Sequence, residues 1–144
     1  RHYTDNIASL SLRDYSHFTK HVFLILIIFS MKIKFNRNKT VSCKLVWKRR
    51  IVSEKGFSEK RAERIAQRCI DLIERMQYGN AMIAFYKQDG TFCMEKGTLV
   101  GYEKFFHREF NITAQQESII YWSEEQKGWR RFMIGNLMEW KAIV

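Results

Sequence analysis

Proline is absent from this 144-residue chain, which excludes a proline-rich linker or a proline-stiffened loop. Cysteine is scarce as well: Cys43, Cys69 and Cys93 are an odd number at wide spacing. This pattern differs from a disulfide framework and favours reduced thiols in a cytoplasmic protein. The length fits one domain whose core is large enough to fold alone.

Signatures of catalysis are missing too. The chain has no glycine-rich phosphate loop and no Cys/His pairs at metal-binding spacing. Its four histidines are scattered, and nothing in the sequence orients Cys93 against His107 as a nucleophile and its base. We therefore expect a non-enzymatic protein with no cofactor and no metal.

A membrane-spanning run is also lacking. The uninterrupted apolar run from Val22 to Phe29 has eight residues, whereas a spanning helix takes about 20. Three interpretations of residues 1–30 stay open: a leader, read-through sequence upstream of Met31, or an extra buried strand. No membrane partner is expected.

Positive charge is abundant and unevenly distributed. The net charge is +10, and residues 31–75 contain 14 Lys plus Arg against 5 Asp plus Glu. Residues 76–144 contain 8 of each sign. This asymmetry indicates a polyanionic partner for the basic segment, residues 31–79. Charge alone does not choose between DNA, RNA and a nucleotide ligand.

The basic segment is predicted to be mainly helical. Residues 41–52 fit either a strand or a helix, with a slight preference for helix. A clear helix follows with Ser58 as its N-cap, and apolar residues recur at three- and four-residue spacing up to Met76. Four arginines form a stripe within about 60° of one flank; they are Arg61, Arg64, Arg68 and Arg75. Guanidinium groups bind phosphate bidentately, so this stripe is a candidate nucleic-acid contact.

Residues 80–144 are predicted to form five short antiparallel strands. Alternating residues run over 81–87 and 91–100, on either side of an Asp89-Gly90 hairpin turn. Further strands are expected over 118–123, 128–134 and 137–143, with a tight turn at Gly135-Asn136. The predicted fold is α+β: a basic helical segment packed on a five-stranded SH3-like or Sm-like barrel, with residues 31–79 and 80–144 in one globular unit.

A resemblance to a known family supports this fold. Tyr121-Trp122-Ser123 is followed by a four-residue turn and then by Gly128-Trp129-Arg130-Arg131-Phe132, with Asn136-Leu137 further on. The pattern resembles the end of the WYL-like family of Sm-like SH3 barrels, which are small, mostly uncharacterised proteins of Bacteroides-type bacteria and their mobile elements. The likeness extends over roughly residues 56–144. In related sensor domains, basic and aromatic residues are thought to bind nucleotide or nucleic-acid ligands, which implies this role for Trp129 and Arg130.

Two functional hypotheses follow. In the first, the chain is an accessory or regulatory nucleic-acid or nucleotide-binding module of a bacterium, phage or mobile element. The arginine stripe would hold phosphate together with Trp129, Arg130 and Arg131. Exposed rings such as Tyr102 or Trp122 would stack on bases. In the second, the chain is a protein-interaction module that binds or inhibits a host protein, and the long insert 101–116 is the contact. The candidate contact residues are Tyr102, Phe106, His107 and Trp122.

Overall fold

The computed structural model describes the backbone of residues 2–144 and the side chains of residues 16–31 and 36–144. It divides the chain into two compact units, residues 1–38 and residues 39–144. The elements in order are α1 (His2–Lys55), α2 (Glu59–Met76), β1 (Asn80–Tyr86), β2 (Phe92–Thr98), α3 (Tyr102–Phe106), β3 (Ser118–Ser123), β4 (Gly128–Met133), a 3₁₀ turn (Ile134–Asn136) and β5 (Leu137–Ile143).

Helix α1 replaces the extra strand that was one interpretation of the N-terminal region. Residues 22–29 are helical, and their side chains are exposed. The physical reason is the absence of any glycine or proline between residue 2 and Gly56, so nothing in the chain interrupts the helix. The preference for helix over residues 41–52 is confirmed. The leader and read-through interpretations stay predictions.

Helix α2 matches its prediction closely. The Ser58 side chain accepts a hydrogen bond from the backbone N–H of Arg61 at 3.2 Å, which makes it the expected N-cap. The predicted apolar face is buried at Ala62, Ala66, Cys69, Leu72, Ile73 and Met76. Helix α2 packs against β1, β5 and the 3₁₀ turn. The last turn of the helix is joined to the sheet because the Met76 carbonyl accepts a hydrogen bond from the Leu99 N–H at 2.8 Å.

All five predicted strands are present in one antiparallel sheet of order β4-β3-β2-β1-β5. The β1–β2 hairpin turns at Asp89-Gly90 as expected, with Gly90 at a φ of 87° and the Asp89 carboxylate accepting from the Thr91 N–H at 2.9 Å. The pairing of β2 with β3 is short, with Gly97 opposite Ser123 and Thr98 opposite Trp122.

The expected barrel closure is wrong for the described residues, because β4 and β5 are the two edges of an open sheet. The outer edge of β5 is covered by α2 instead. The Arg68 guanidinium donates to the Trp140 carbonyl at 2.7 Å, and the Arg75 guanidinium donates to the Ile143 carbonyl. Covering an edge in this way prevents further strand pairing there.

The turn between β4 and β5 also differs from its prediction. Gly135-Asn136 belongs to a 3₁₀ turn, and neither residue has a positive φ. Helical geometry at this point directs the chain away from β4 and towards β1, where β5 pairs.

The end of the 101–116 insert is fixed against the second half of α1. The indole of Trp47 is fully buried and donates to the Thr113 carbonyl at 3.2 Å. The guanidinium of Arg50 donates to the carbonyls of Gln116 at 2.6 Å and Ala114 at 3.2 Å. These bonds satisfy backbone acceptors of the insert that have no partner in a helix or strand.

Candidate nucleic-acid interface

A basic groove of about 620 Å³ lies between the end of α1, the start of α2, the β1–β2 turn and the 3₁₀ turn. Its cationic lining residues are Arg50, Lys55, Arg61 and Lys87, and its acidic ones are Glu54 and Glu117. Because Arg50 is occupied by backbone carbonyls, three cations are left to face a ligand. We call this surface the basic groove.

Local packing holds the cations of the basic groove in place. The guanidinium of Arg61 lies 3.7 Å from the ring centroid of Phe57, in cation–π geometry. A Cβ added at Gly135 would lie 3.4 Å from the Lys55 Cε, so the lysine stem passes close over this glycine. Tyr86 adds a ring at the rim, 41% exposed and in edge contact with Phe92 at 5.7 Å between centroids.

The predicted arginine stripe is divided by the fold. Arg61 lines the basic groove, and Arg64 is exposed. Arg68 pairs with Glu139 and lies 4.4 Å from the Trp140 ring, while Arg75 donates to the Asn80 carbonyl at 3.2 Å. Arg68 and Arg75 therefore hold β5 against α2. Their expected role in phosphate binding stays a prediction, and the structure gives both a stabilising role that the sequence did not indicate.

A second cavity, of about 300 Å³, is lined by residues of β1 to β4 and of the turns that follow β1, β3 and β4. Its floor includes Glu95, whose side chain is 2% exposed. The Glu95 carboxylate accepts a hydrogen bond from the Tyr121 hydroxyl and another from the Gln126 amide at 2.9 Å. Gln126 in turn accepts from the Arg130 Nε at 2.7 Å. We call this cavity the Glu95 pocket; Lys87 and Arg131 also line it.

Burial also affects the tyrosine in this network. Desolvation first, and then the hydrogen bond to Glu95, raise the pKa of the Tyr121 hydroxyl. The hydroxyl therefore keeps its proton and remains a donor to the carboxylate at neutral pH. Cys93, on the same face of β2, likewise has a raised pKa because it is desolvated, so its thiol is protonated rather than nucleophilic.

Three of the four predicted contact residues belong to one aromatic cluster, and the fourth, His107, lies outside it. The aromatic cluster is defined here as Tyr102, Phe105, Phe106, Phe110, Trp122 and Trp129. Tyr102 is buried at its centre, so the expectation that its ring is free to stack on a base is wrong. Phe105 is 60% exposed and Trp122 is half-buried. His107 is exposed next to the cluster, at a left-handed φ of 56°.

The three predicted residues of β4 contribute to two different surfaces. Trp129 lies opposite Trp122 on β3 and joins the aromatic cluster. Arg130 and Arg131 are exposed, and both line the Glu95 pocket. The predicted trio of Trp129, Arg130 and Arg131 is therefore shared between two surfaces, and its role in nucleic-acid binding stays a prediction.

Sequence reasoning missed several residues of these surfaces: Lys55, Phe57, Tyr86, Lys87, Glu95 and Gln126. Lys55 is the last residue of α1 and Phe57 lies in the link between α1 and α2, where residue spacing does not indicate the direction of a side chain. The sequence carried no usable signal for Glu95, because it alternates with Cys93 and Gly97 while the more apolar Phe92 and Met94 lie on the other face of β2.

No site for a metal ion and no disulfide is found in the described part of the chain. Three or more His, Cys, Asp or Glu side chains converge nowhere among the described residues. All three cysteines are free.

Two helices followed by an open five-stranded antiparallel sheet place this chain among α+β proteins built on a small β-fold. Residues 69–138 match the family model WYL_2, which is described as an Sm-like SH3 beta-barrel fold. The match runs from the middle of α2 to the start of β5 and supports the WYL-like resemblance. No curated protein and no solved structure matches the chain. Among the described residues, none of the helices combines the length and apolarity needed to cross a bilayer.

Proposed function

We propose that this chain is a non-enzymatic accessory module that binds single-stranded nucleic acid in the basic groove. The observation that carries the proposal is that Lys55, Arg61 and Lys87 line one groove together with the exposed ring of Tyr86. Single strands are held by cations that track the phosphates and by rings on which bases stack.

The shape of the groove favours a single strand over a duplex. Its cations line a cavity between two helices and two turns instead of a flat face. A flexible strand can place its phosphates between these walls, whereas a duplex presents them on a rigid cylinder. The two acidic lining residues, Glu54 and Glu117, leave the groove with a modest positive balance. Moderate affinity with strong salt dependence is the expected behaviour.

The test is the salt dependence of binding, measured by the fluorescence anisotropy of a labelled single-stranded oligonucleotide. The variant Lys55→Ala/Arg61→Ala/Lys87→Ala removes three contacts, so the slope of log K against log salt should become shallower by about 2. The control Lys104→Ala/Lys127→Ala/Lys141→Ala removes the same charge at exposed positions outside the groove. It should keep the slope. Equal slopes for both variants would refute the groove as the binding site.

One observation favours a second candidate, a protein-binding surface on the aromatic cluster. Tyr78 and Phe105 are 83% and 60% exposed beside a shallow cavity of about 470 Å³, which Trp122 and Trp129 also line. Exposed aromatic groups of this kind are enriched in protein interfaces. A partner held there would remain bound after nuclease treatment in a pull-down and would be released by Phe105→Ser. Loss of every bound protein on nuclease treatment would count against this candidate.

A further inference from the structure

The inner face of β2 contains one buried carboxylate. Glu95 lies between Cys93 and Gly97 in the strand and accepts a hydrogen bond from the Tyr121 hydroxyl. No cation forms an ion pair with it in the described part of the chain, since Arg130 contacts Gln126 instead. Burying a carboxylate without an ion pair opposes folding, and its two hydrogen bonds use only part of its acceptor capacity. Its position in the lining of a cavity therefore indicates a ligand.

The remaining bonding capacity of Glu95 defines what this ligand must offer. An ionised carboxylate has about four acceptor sites. Tyr121 and Gln126 each occupy one, on different oxygens. Both oxygens therefore retain an acceptor site, and a ligand with two adjacent N–H donors would fill them together. Among the four common bases, only guanine presents two such donors side by side, at N1 and at the N2 amino group.

The position of the pocket connects it to the basic groove. Five residues line both cavities, and they are Tyr86, Lys87, Gln88, Met133 and Asn136. The two cavities therefore adjoin, so a base of a strand held in the groove is placed beside the Glu95 pocket. Lys87 and Arg131 then lie at the rim, where the flanking phosphates of that nucleotide would be.

The geometry points to the Glu95 pocket as a recognition site for one unstacked guanine base of a single strand, with the Glu95 carboxylate accepting from N1–H and N2–H. This inference rests on the proposed function, because the strand itself is held by the basic groove. It adds sequence preference to a surface whose phosphate contacts carry none.

The experiment compares three uridine-rich oligonucleotides that differ at one central position: guanosine, inosine or uridine. Inosine keeps N1–H and lacks the N2 amino group, so it removes one of the two donors. On the unchanged full chain, guanosine should bind about tenfold more tightly than inosine. The variant Glu95→Gln keeps an oxygen for the Tyr121 hydroxyl and loses the paired acceptor. It should bind all three oligonucleotides equally.

The control variant is Glu125→Gln, which makes the same charge change at an exposed position in the β3–β4 turn. It should keep the guanosine preference. Equal affinity for guanosine and inosine on the unchanged chain would overturn the guanine site while leaving the groove intact, and this comparison stands even if Glu95→Gln does not fold. Absence of binding to all three oligonucleotides would instead overturn the proposed function.

Discussion

Gly97 shows at a single residue how tightly the inner face of β2 is packed. A Cβ built there would lie 2.7 Å from the Tyr121 Cδ2 and 2.8 Å from the Ile83 Cδ1. Both neighbours are buried side chains with no room to move. The glycine therefore permits Tyr121 to lie flat across β2 and to reach Glu95.

The variant Gly97→Ala should lower the free energy of unfolding by about 1–3 kcal/mol, because the added methyl group forces buried neighbours apart. Its matched control is Gly128→Ala, where the close atom is the flexible guanidinium end of Arg130 at 2.7 Å. The control should change stability by less than about 0.5 kcal/mol. Urea denaturation of both variants measures the difference, and equal stabilities would contradict this packing.

The inner face of β2 also shows why the Glu95 pocket was not predicted. The largest apolar side chains of β2, Phe92 and Met94, lie on the opposite face and are 51% and 56% exposed, whereas Glu95 is buried. Hydrophobicity would assign the opposite face to the core. Only the partners of Glu95, which come from β3 and the following turn, account for its burial. Such contacts join residues distant in sequence, and no local pattern encodes them.

At the scale of elements, the contact between α2 and β5 depends on Arg68. Its guanidinium pairs with Glu139, donates to the Trp140 carbonyl and lies over the Trp140 ring. The Trp140 indole N–H donates in return to the Arg68 carbonyl at 2.9 Å. These bonds cover the outer edge of β5.

Arg68→Ala should therefore lower the free energy of unfolding by about 1–2 kcal/mol. Arg64→Ala, on the exposed part of the same helix, should change it by less than about 0.5 kcal/mol. Thermal unfolding followed by circular dichroism distinguishes the two. A similar loss of unfolding free energy in both variants would mean that Arg68 stabilises the fold only through its positive charge and not through its contacts with β5.

The same contact has a pH dependence of predictable sign. The Trp140 N–H, and then the Arg68 guanidinium, lower the pKa of the Glu139 carboxyl from its ordinary value of 4.5. A lowered pKa stabilises the fold above 4.5, and this contribution is lost as the pH falls through the folded-state value. The stability difference between the unchanged chain and Glu139→Gln should disappear in acid. Since Glu139 is exposed, this stability difference should be below about 1 kcal/mol at neutral pH.

The success of the sequence reasoning also varied with the element. The strands and α2 were predictable because local signals specify them: alternation in the strands, Asp89-Gly90 at the hairpin and Ser58 at the N-cap. The 22–29 run was not, because an apolar stretch without periodicity fits strand and helix equally. The open sheet was not predictable from the sequence either. Barrel closure depends on whether the outer edge of β5 contacts β4 or α2, and no local signal decides between them.

At the scale of the whole molecule, the net charge of the basic segment does not show which cations are available to a partner. Much of the surplus in the basic segment is used within the fold. Lys44 and Lys48 lie 3.3 and 3.9 Å from the Glu63 carboxylate, and Arg50 holds the insert. Only the three-dimensional arrangement separates these residues from the cations of the basic groove. The sequence indicated a polyanionic partner without indicating which side chains would meet it.

The most direct test of the account is an amide chemical-shift titration of the ¹⁵N-labelled full chain with a single-stranded oligonucleotide at low salt. The account predicts that the largest changes fall on the walls of the basic groove, at residues 54–61, 86–90 and 133–138, with little change at residues 101–110. Changes concentrated at 101–110 and 122–129, or no change at any residue, would contradict it.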